Sequence, residues 1–219
     1  HPEGVNYITD KDGLKNNYTT ALAFDDNGDL WAASVSGVVK ISLKRQPDNR
    51  YDYQVEPIDL SHLNNAELVF QIQQHKGYLW LASDRGLIAH RSGSQDWRIF
   101  NRDQGLPFDN FLSVAFDGEA NLWLGTNRGA ILIRHDNFTQ HLNNPETPLT
   151  YQRYTEVDGM SNAQVNSGGP ALYQSSNGNL WFATATGASV VDPNEISSLA
   201  ATPPPTVIAA VTADGQPLQ

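Results

Sequence analysis

Short apolar runs alternate with turn residues along most of this chain, and no segment shows a sustained helical period. The clearest unit starts at Trp97. Trp97-Arg98-Ile99-Phe100 alternates apolar and polar, the pattern of an outer strand with one wet face. Asp103-Gln104-Gly105-Leu106-Pro107 carries turn chemistry, since Gly permits positive φ and Pro fixes the exit direction. Phe111 to Phe116 is an apolar run of buried-strand length. Asp117-Gly118-Glu119-Ala120 predicts a hairpin, Asn121 to Thr126 a second strand, Asn127-Arg128-Gly129 a turn and Ala130 to Arg134 a third strand. The next outer strand is expected at Tyr151 to Tyr154.

The unit recurs four times. Its centres are Asn27-Gly28-Asp29-Leu30-Trp31, Lys76-Gly77-Tyr78-Leu79-Trp80, Glu119-Ala120-Asn121-Leu122-Trp123 and Asn177-Gly178-Asn179-Leu180-Trp181. Each Leu-Trp leads to a Ser or Thr, a two-residue turn and a Gly (Gly37, Gly86, Gly129, Gly187). The tryptophans are 49, 43 and 58 residues apart, near the ~40–50 residues of a propeller blade. One such unit cannot bury its own faces, so neighbours must stack on it. All four tryptophans are therefore expected in the core. Asn27-Gly28 and Asn177-Gly178 predict hairpin turns with positive φ at both central residues. The fold class is all-β: four β-propeller blades over residues 1–196, with Val5 to Thr9 as a leading outer strand. Four blades could close by lending that strand to the last blade, or form part of a larger ring. A Pro-rich linker is expected at 197–205. Residues 206–219 read as the start of a truncated β-sandwich, with a strand at Thr206 to Thr212 and a turn at Ala213 to Gln216.

Composition narrows the function. A formal charge of −10 disfavours a phosphate backbone as partner, so no nucleic-acid binding is expected. The absence of cysteine removes disulfides, thiol catalysis and thiolate zinc sites. No stretch reaches the ~20 apolar residues of a membrane span. The opening His1-Pro2-Glu3-Gly4 reads as a piece of a longer polypeptide, so any membrane association is expected through other regions.

Candidate chemistry is sparse. Asp25-Asp26-Asn27-Gly28-Asp29 lacks the closing Glu of a calcium loop and reads as a solvated hairpin. The histidines His1, His62, His75, His90, His135 and His141 form no zinc-binding pair, and neither a metal nor a cofactor is expected. No serine nucleophile elbow is present. Asp109, Asp158 and Glu156 near blade-leading loops could act as cross-blade carboxylates, but capping of turns is the favoured role. Trp97 stands outside the repeat and could be exposed. The strongest binding candidates lie on one propeller face, where loops leading into the inner strands meet the turns between second and third strands. Those segments carry Asn16, Asn17, Asn64, Asn65, Asp109, Asn110, Asn162 and Gln164, with Ser36, Asp84, Arg85, Asn127, Arg128 and Thr186. Amides, carboxylates and guanidiniums around an axis suit hydroxyl-rich or carboxylated ligands. Arg85 and Arg128 are the boldest candidates, since those turns do not demand Arg.

The motifs Asp12-Gly13-Leu14, Gln104-Gly105-Leu106, Asp84-Arg85-Gly86-Leu87 and Asn121-Leu122-Trp123-Leu124-Gly125-Thr126 resemble the two-component regulator propeller repeat. Asp158-Gly159-Met160-Ser161-Asn162 through Trp181 to Val191-Asp192-Pro193 is similar to the closing blade of such sensors. The following Pro-Pro-Thr-Val resembles the start of the triple-tyrosine (Y_Y_Y) sandwich. Ser61-His62-Leu63 departs from the Asp-Gly-Leu pattern, and four blades are fewer than is usual. The resemblance implies a periplasmic input region of an inner-membrane histidine kinase or diguanylate cyclase. It would bind an oligosaccharide or another polar small molecule, perform no chemistry and self-associate by dimerisation or ring completion. The alternatives are a hydrolase or lyase on the same scaffold and a propeller that only mediates dimerisation.

Overall fold

The computed structural model describes residues 7–47, 51–199, 212–213 and 216–217. Four antiparallel sheets follow one another in sequence order. Blade one comprises β1 (Thr19–Phe24), β2 (Leu30–Ser34), β3 (Gly37–Arg45) and β4 (Tyr51–Pro57). Blade two comprises β5 (Val69–His75), β6 (Tyr78–Ser83), β7 (Leu87–Arg91) and β8 (Trp97–Phe100). Blade three comprises β9 (Ser113–Phe116), β10 (Leu122–Thr126), β11 (Gly129–Ile133) and, after helix α1 (His135–Asn143), β12 (Gln152–Tyr154). Blade four has β13 (Leu172–Gln174), β14 (Leu180–Thr184) and β15 (Gly187–Val191), then helix α2 (Pro193–Leu199). In each blade consecutive strands pair antiparallel, and the first strand is innermost. The inner strands of successive blades lie side by side.

The core lies between blades. Trp31, Ala33 and Val38 of blade one meet Val69, Ile72, Leu81 and Ile88 of blade two. Trp80, Leu87 and Phe100 of blade two meet Val114, Phe116, Leu124 and Ile131 of blade three. Trp123, Ala130 and Leu132 of blade three meet Leu172, Leu180 and Phe182 of blade four. Each sheet is thus apolar on both faces, which explains why the middle strands read as continuous apolar runs.

Several expectations are corrected here. Trp31, Trp80 and Trp123 are 3%, 3% and 0% exposed, but Trp181 is 45% exposed. Its face of blade four, with Tyr173 and Val190, has no blade beyond it among the described residues, and Leu22 and Phe24 are exposed on the opposite face of blade one. A closed four-bladed ring would bury both faces, so the described blades form an open arc. Tyr7 to Thr9 are not in a strand, Val5 and Asn6 lie outside the described residues, and blade four has three strands among the described residues. Helices were not expected. α1 buries Phe138 and His141 and inserts Phe138 against Trp80 and Phe100, at ring separations of 5.2 and 5.3 Å. α2 starts with Pro at its first position, where Asp192 accepts the Asn194 N–H (2.9 Å). Trp97 is half-buried and stacks on His90 at 4.0 Å. α2 carries the chain to Leu199, while residues 200–211 of the expected linker and sandwich strand lie outside the described residues. Beyond them, β16 (Thr212–Ala213) pairs with β17 (Gln216–Pro217).

Candidate functional site

The four turns between second and third strands share one construction. The Ser or Thr that ends the middle strand donates to the carbonyl of the following Gly: Ser34 to Gly37 (3.1 Å), Ser83 to Gly86 (2.7 Å), Thr126 to Gly129 (2.8 Å) and Thr184 to Gly187 (2.9 Å). In the first three turns the hydroxyl also accepts an N–H from the second turn residue, Ser36, Arg85 or Arg128. The glycine is required at position 129. Its φ is 118°, and a Cβ would stand 2.3 Å from the Tyr154 carbonyl of the outer strand.

The loops leading into the inner strands of blades three and four are tied to the turn of the preceding blade. Phe111 N donates to Ser83 O (3.0 Å), while Val165 N donates to Thr126 O (2.9 Å) and Gly129 N to Ala163 O (2.7 Å). The predicted binding residues are therefore gathered on one rim. Arg85 is exposed, and its Nε lies 3.4 Å from the carboxylate of its neighbour Asp84. The other Asp84 oxygen, Oδ1, is buried and has no partner among the described residues. Arg128 is exposed and sits over the Phe108 ring at 5.7 Å, a cation–π contact. Asn127 and Asn110 are exposed beside them.

Other candidates are occupied by the loops themselves. Asp109 accepts the Arg102 N–H (3.0 Å) and lies 3.5 Å from the Arg102 Nε. Asn17 makes the equivalent bond to Asp10 N (2.8 Å). Asn162 accepts the Gln164 N–H (2.8 Å), and Asn16 bonds Tyr18 N and the Ser36 hydroxyl. Thr186 donates to Ser161 O. Asn64 and Asn65 adopt φ of 56° and 53°, which Asn tolerates best after Gly. Glu156 accepts the Ala163 N–H (2.7 Å). That bond holds its carboxyl below the ordinary value, the opposite of what a general acid needs. Asp158 accepts from Thr155 N (2.9 Å). Below the rim, a cavity of about 550 Å³ runs along the inner strands between Thr20, Gln71, Pro170 and Tyr173. Gln71 donates to Val114 O (2.8 Å), and its Oε1 is buried without a partner among the described residues.

Sequence reasoning missed the acids that hold the tryptophans. Asp25 takes the Asn27 and Asp29 N–H groups on Oδ1 and the Trp31 indole N–H on Oδ2 (3.0 Å). Asp117 repeats this with Glu119, Asn121 and Trp123 (2.9 Å). These residues are buried, so Asp25 is not a solvated turn position. The available signal was an Asp six residues before a Trp, occurring twice. The Asp-Gly motif also has a local cause. Thr9 with Asp12, Asn101 with Gln104 and Thr155 with Asp158 form capping boxes on short 3-10 turns, each closed by a left-handed Gly.

No protein-family model matches the chain, and no curated protein matches it in sequence. Solved structures do. Across 98% of its length the chain resembles the extracellular domain of BT3049 from B. thetaiotaomicron, described as a hybrid two-component system, with a TM-score of 0.72 and 21% identity. It also resembles the extracellular domain of BT4673 from the same organism over 84% of its length, with a TM-score of 0.60 and 19% identity. The chain shares their fold. It spans 28% and 22% of those chains. Among the described residues, no helix is long and apolar enough to cross a membrane.

Proposed function

We propose that this chain is part of the extracytoplasmic input region of a bacterial membrane signalling protein, lying in the periplasm and sensing a saccharide or another polar small molecule. The observation that carries the reading is the structural likeness, across 98% of this chain, to part of the extracellular domain of a two-component system. The ligand is assigned to the rim, where Arg85, Arg128, Asn127 and Asn110 are exposed around the inner strands. Arg128 and Arg85 would engage a carboxylate or ring hydroxyls, while Asp84, Asp109, Asn17 and Asn162 hold the turns that present them. The exposed end faces would meet further blades or a second copy. Ligand occupancy would reach an output domain, a histidine kinase or a diguanylate cyclase, through a following β-sandwich of the Y_Y_Y type.

The carboxylates considered for glycoside cleavage serve as loop acceptors, so a non-catalytic role is favoured. The test is a thermal-shift screen against neutral and acidic oligosaccharides, with product analysis on every hit. Stabilisation without product, lost in the Arg85→Ala/Arg128→Ala double variant, supports the reading. Product formation abolished by Asp109→Asn or Glu156→Gln would replace it with the enzymatic one.

A further inference from the structure

At the end of the blades opposite the rim, blade two breaks the rule that its neighbours follow. In the other three blades the indole N–H has an acceptor two residues beyond its cross-strand partner. Asp25 Oδ2 lies at 3.0 Å, Asp117 Oδ2 at 2.9 Å and the Ser175 hydroxyl at 3.2 Å. The register is the same in blade two: Trp80 pairs with Gln73 as Trp31 pairs with Ala23 and Trp123 with Ala115. The residue two further on is His75. It lies flat against the Phe116 ring at 3.9 Å and offers the indole nothing. Trp80 Nε1 and His75 Nε2 are both buried without a partner among the described residues. Trp80 is 3% exposed, and a donor so placed is costly to leave unmade.

Both rings line a cavity of about 350 Å³ between blades two and three, closed on one side by α1. The cavity inverts the charge of the protein. Against a chain charge of −10, it gathers Lys76, Arg91 and Arg98 around a single carboxylate, Asp96, which is already bridged to Arg98 at 3.1 Å. Arg91 has no ion pair among the described residues. One part of the remaining wall is aromatic, with Tyr78 and Phe138 at 5.6 and 5.2 Å from Trp80, and Thr139, Leu142 and Asn143 of α1 add to it.

We propose that this cavity binds a small carboxylate carried on a ring-sized body, whose oxygens take the place of the aspartate that blade two lacks. The carboxylate would accept the Trp80 N–H and pair with Arg91 and Lys76, and its ring would lie on the aromatic wall. Neutral His75 is suited to donate from Nε2 to the same anion. Burial and the nearby Lys76 and His135, partly opposed by Asp117, hold its imidazole below the ordinary value. The site is separate from the rim and does not depend on the function proposed there.

The experiment uses the whole chain, labelled so that indole N–H resonances are visible, with the Trp80 resonance identified by its loss in Trp80→Phe. Benzoate and glucuronate are titrated beside benzamide and glucose. A saturable shift of the Trp80 resonance with the acids alone, together with a raised Tm, supports the site. The acid that saturates at lower concentration identifies an aromatic or a sugar body. Trp80→Phe keeps the ring and should weaken binding about tenfold. His75→Asp restores an internal acceptor, so it should raise the Tm of the unliganded chain and abolish binding. If that variant does not fold, Arg91→Gln, at the cavity edge, should also weaken the acids. The proposal fails if neither acid moves the Trp80 resonance at millimolar concentration, if the neutral compounds move it equally, or if Trp80→Phe binds as well as the parent chain.

Discussion

A single acid in this protein organises a hairpin and a core tryptophan together. Asp117 accepts from two backbone N–H groups, the Asn121 amide and the Trp123 indole, all in a nearly dry position. Replacing it with Ala leaves several buried donors unmade, so Asp117→Ala should destabilise the chain by about 3 kcal/mol in urea titration. Ala120 in the same loop takes φ 63°, where blades one and four use Gly28 and Gly178. Relief of about 1–2 kcal/mol of left-handed strain outweighs the unfolded-state entropy that glycine adds, about 0.4–1 kcal/mol. Ala120→Gly should therefore be slightly stabilising by the same measurement. Titration works in the opposite direction at acid pH. Burial holds His75 and His90 below their ordinary value of 6.5, so the unfolded chain binds more protons. Their contribution is complete above pH 6.5 and is lost as pH falls. Asp12, Asp59 and Glu156, lowered by hydrogen bonds, add a second loss below their ordinary values of 3.8 to 4.5. Thermal melts should show a first decline in Tm below pH 6.5, removed in part by His90→Phe, and a steeper one below about pH 4.

At the scale of elements, the blade strands were legible because most alternate or run apolar over three to nine residues between turn residues. The predicted strand at Asn121 to Thr126 is β10, and Trp97 to Phe100 is β8. The turns were less legible. Asn27-Gly28 and Asn177-Gly178 place only the glycine at positive φ, whereas Lys76-Gly77 places both residues there, at 48° and 79°. The difference is loop length: His75 pairs with Tyr78 across two residues, so blade two needs the turn whose twist matches its strands. α1 was missed because its nine residues present only a short apolar stripe, Phe138, His141 and Leu142. Its stability comes from the gap it fills between blades. Phe138→Ala should cost about 3–5 kcal/mol in chemical denaturation, as a buried ring leaves a void against Trp80 and Phe100.

At the scale of the molecule, each Trp is a key for the following blade, and Trp181 has no lock. Its exposed face, with Tyr173 and Val190, and the Leu22 and Phe24 face at the other end are apolar surfaces of the kind that mediate association. The 219-residue chain should self-associate with concentration in sedimentation experiments. Trp181→Glu should shift it toward monomer without lowering Tm, because that side chain supports little of the existing core.

The amino-acid sequence alone determined the blade: its strand order, its hydroxyl and glycine turn, and the face on which the tryptophan stands. Those properties depend on neighbours a few residues apart and are repeated four times. Tertiary structure decided that the arc is open, that Asp109 and Asn17 brace loops and do not stand free, and that blade two leaves an indole without its acid beside a cationic cavity. The open arc and the cationic cavity depend on groups from different blades, brought together only when the sheets stack, and the braces at Asp109 and Asn17 depend on loop conformations that bring residues seven apart into contact.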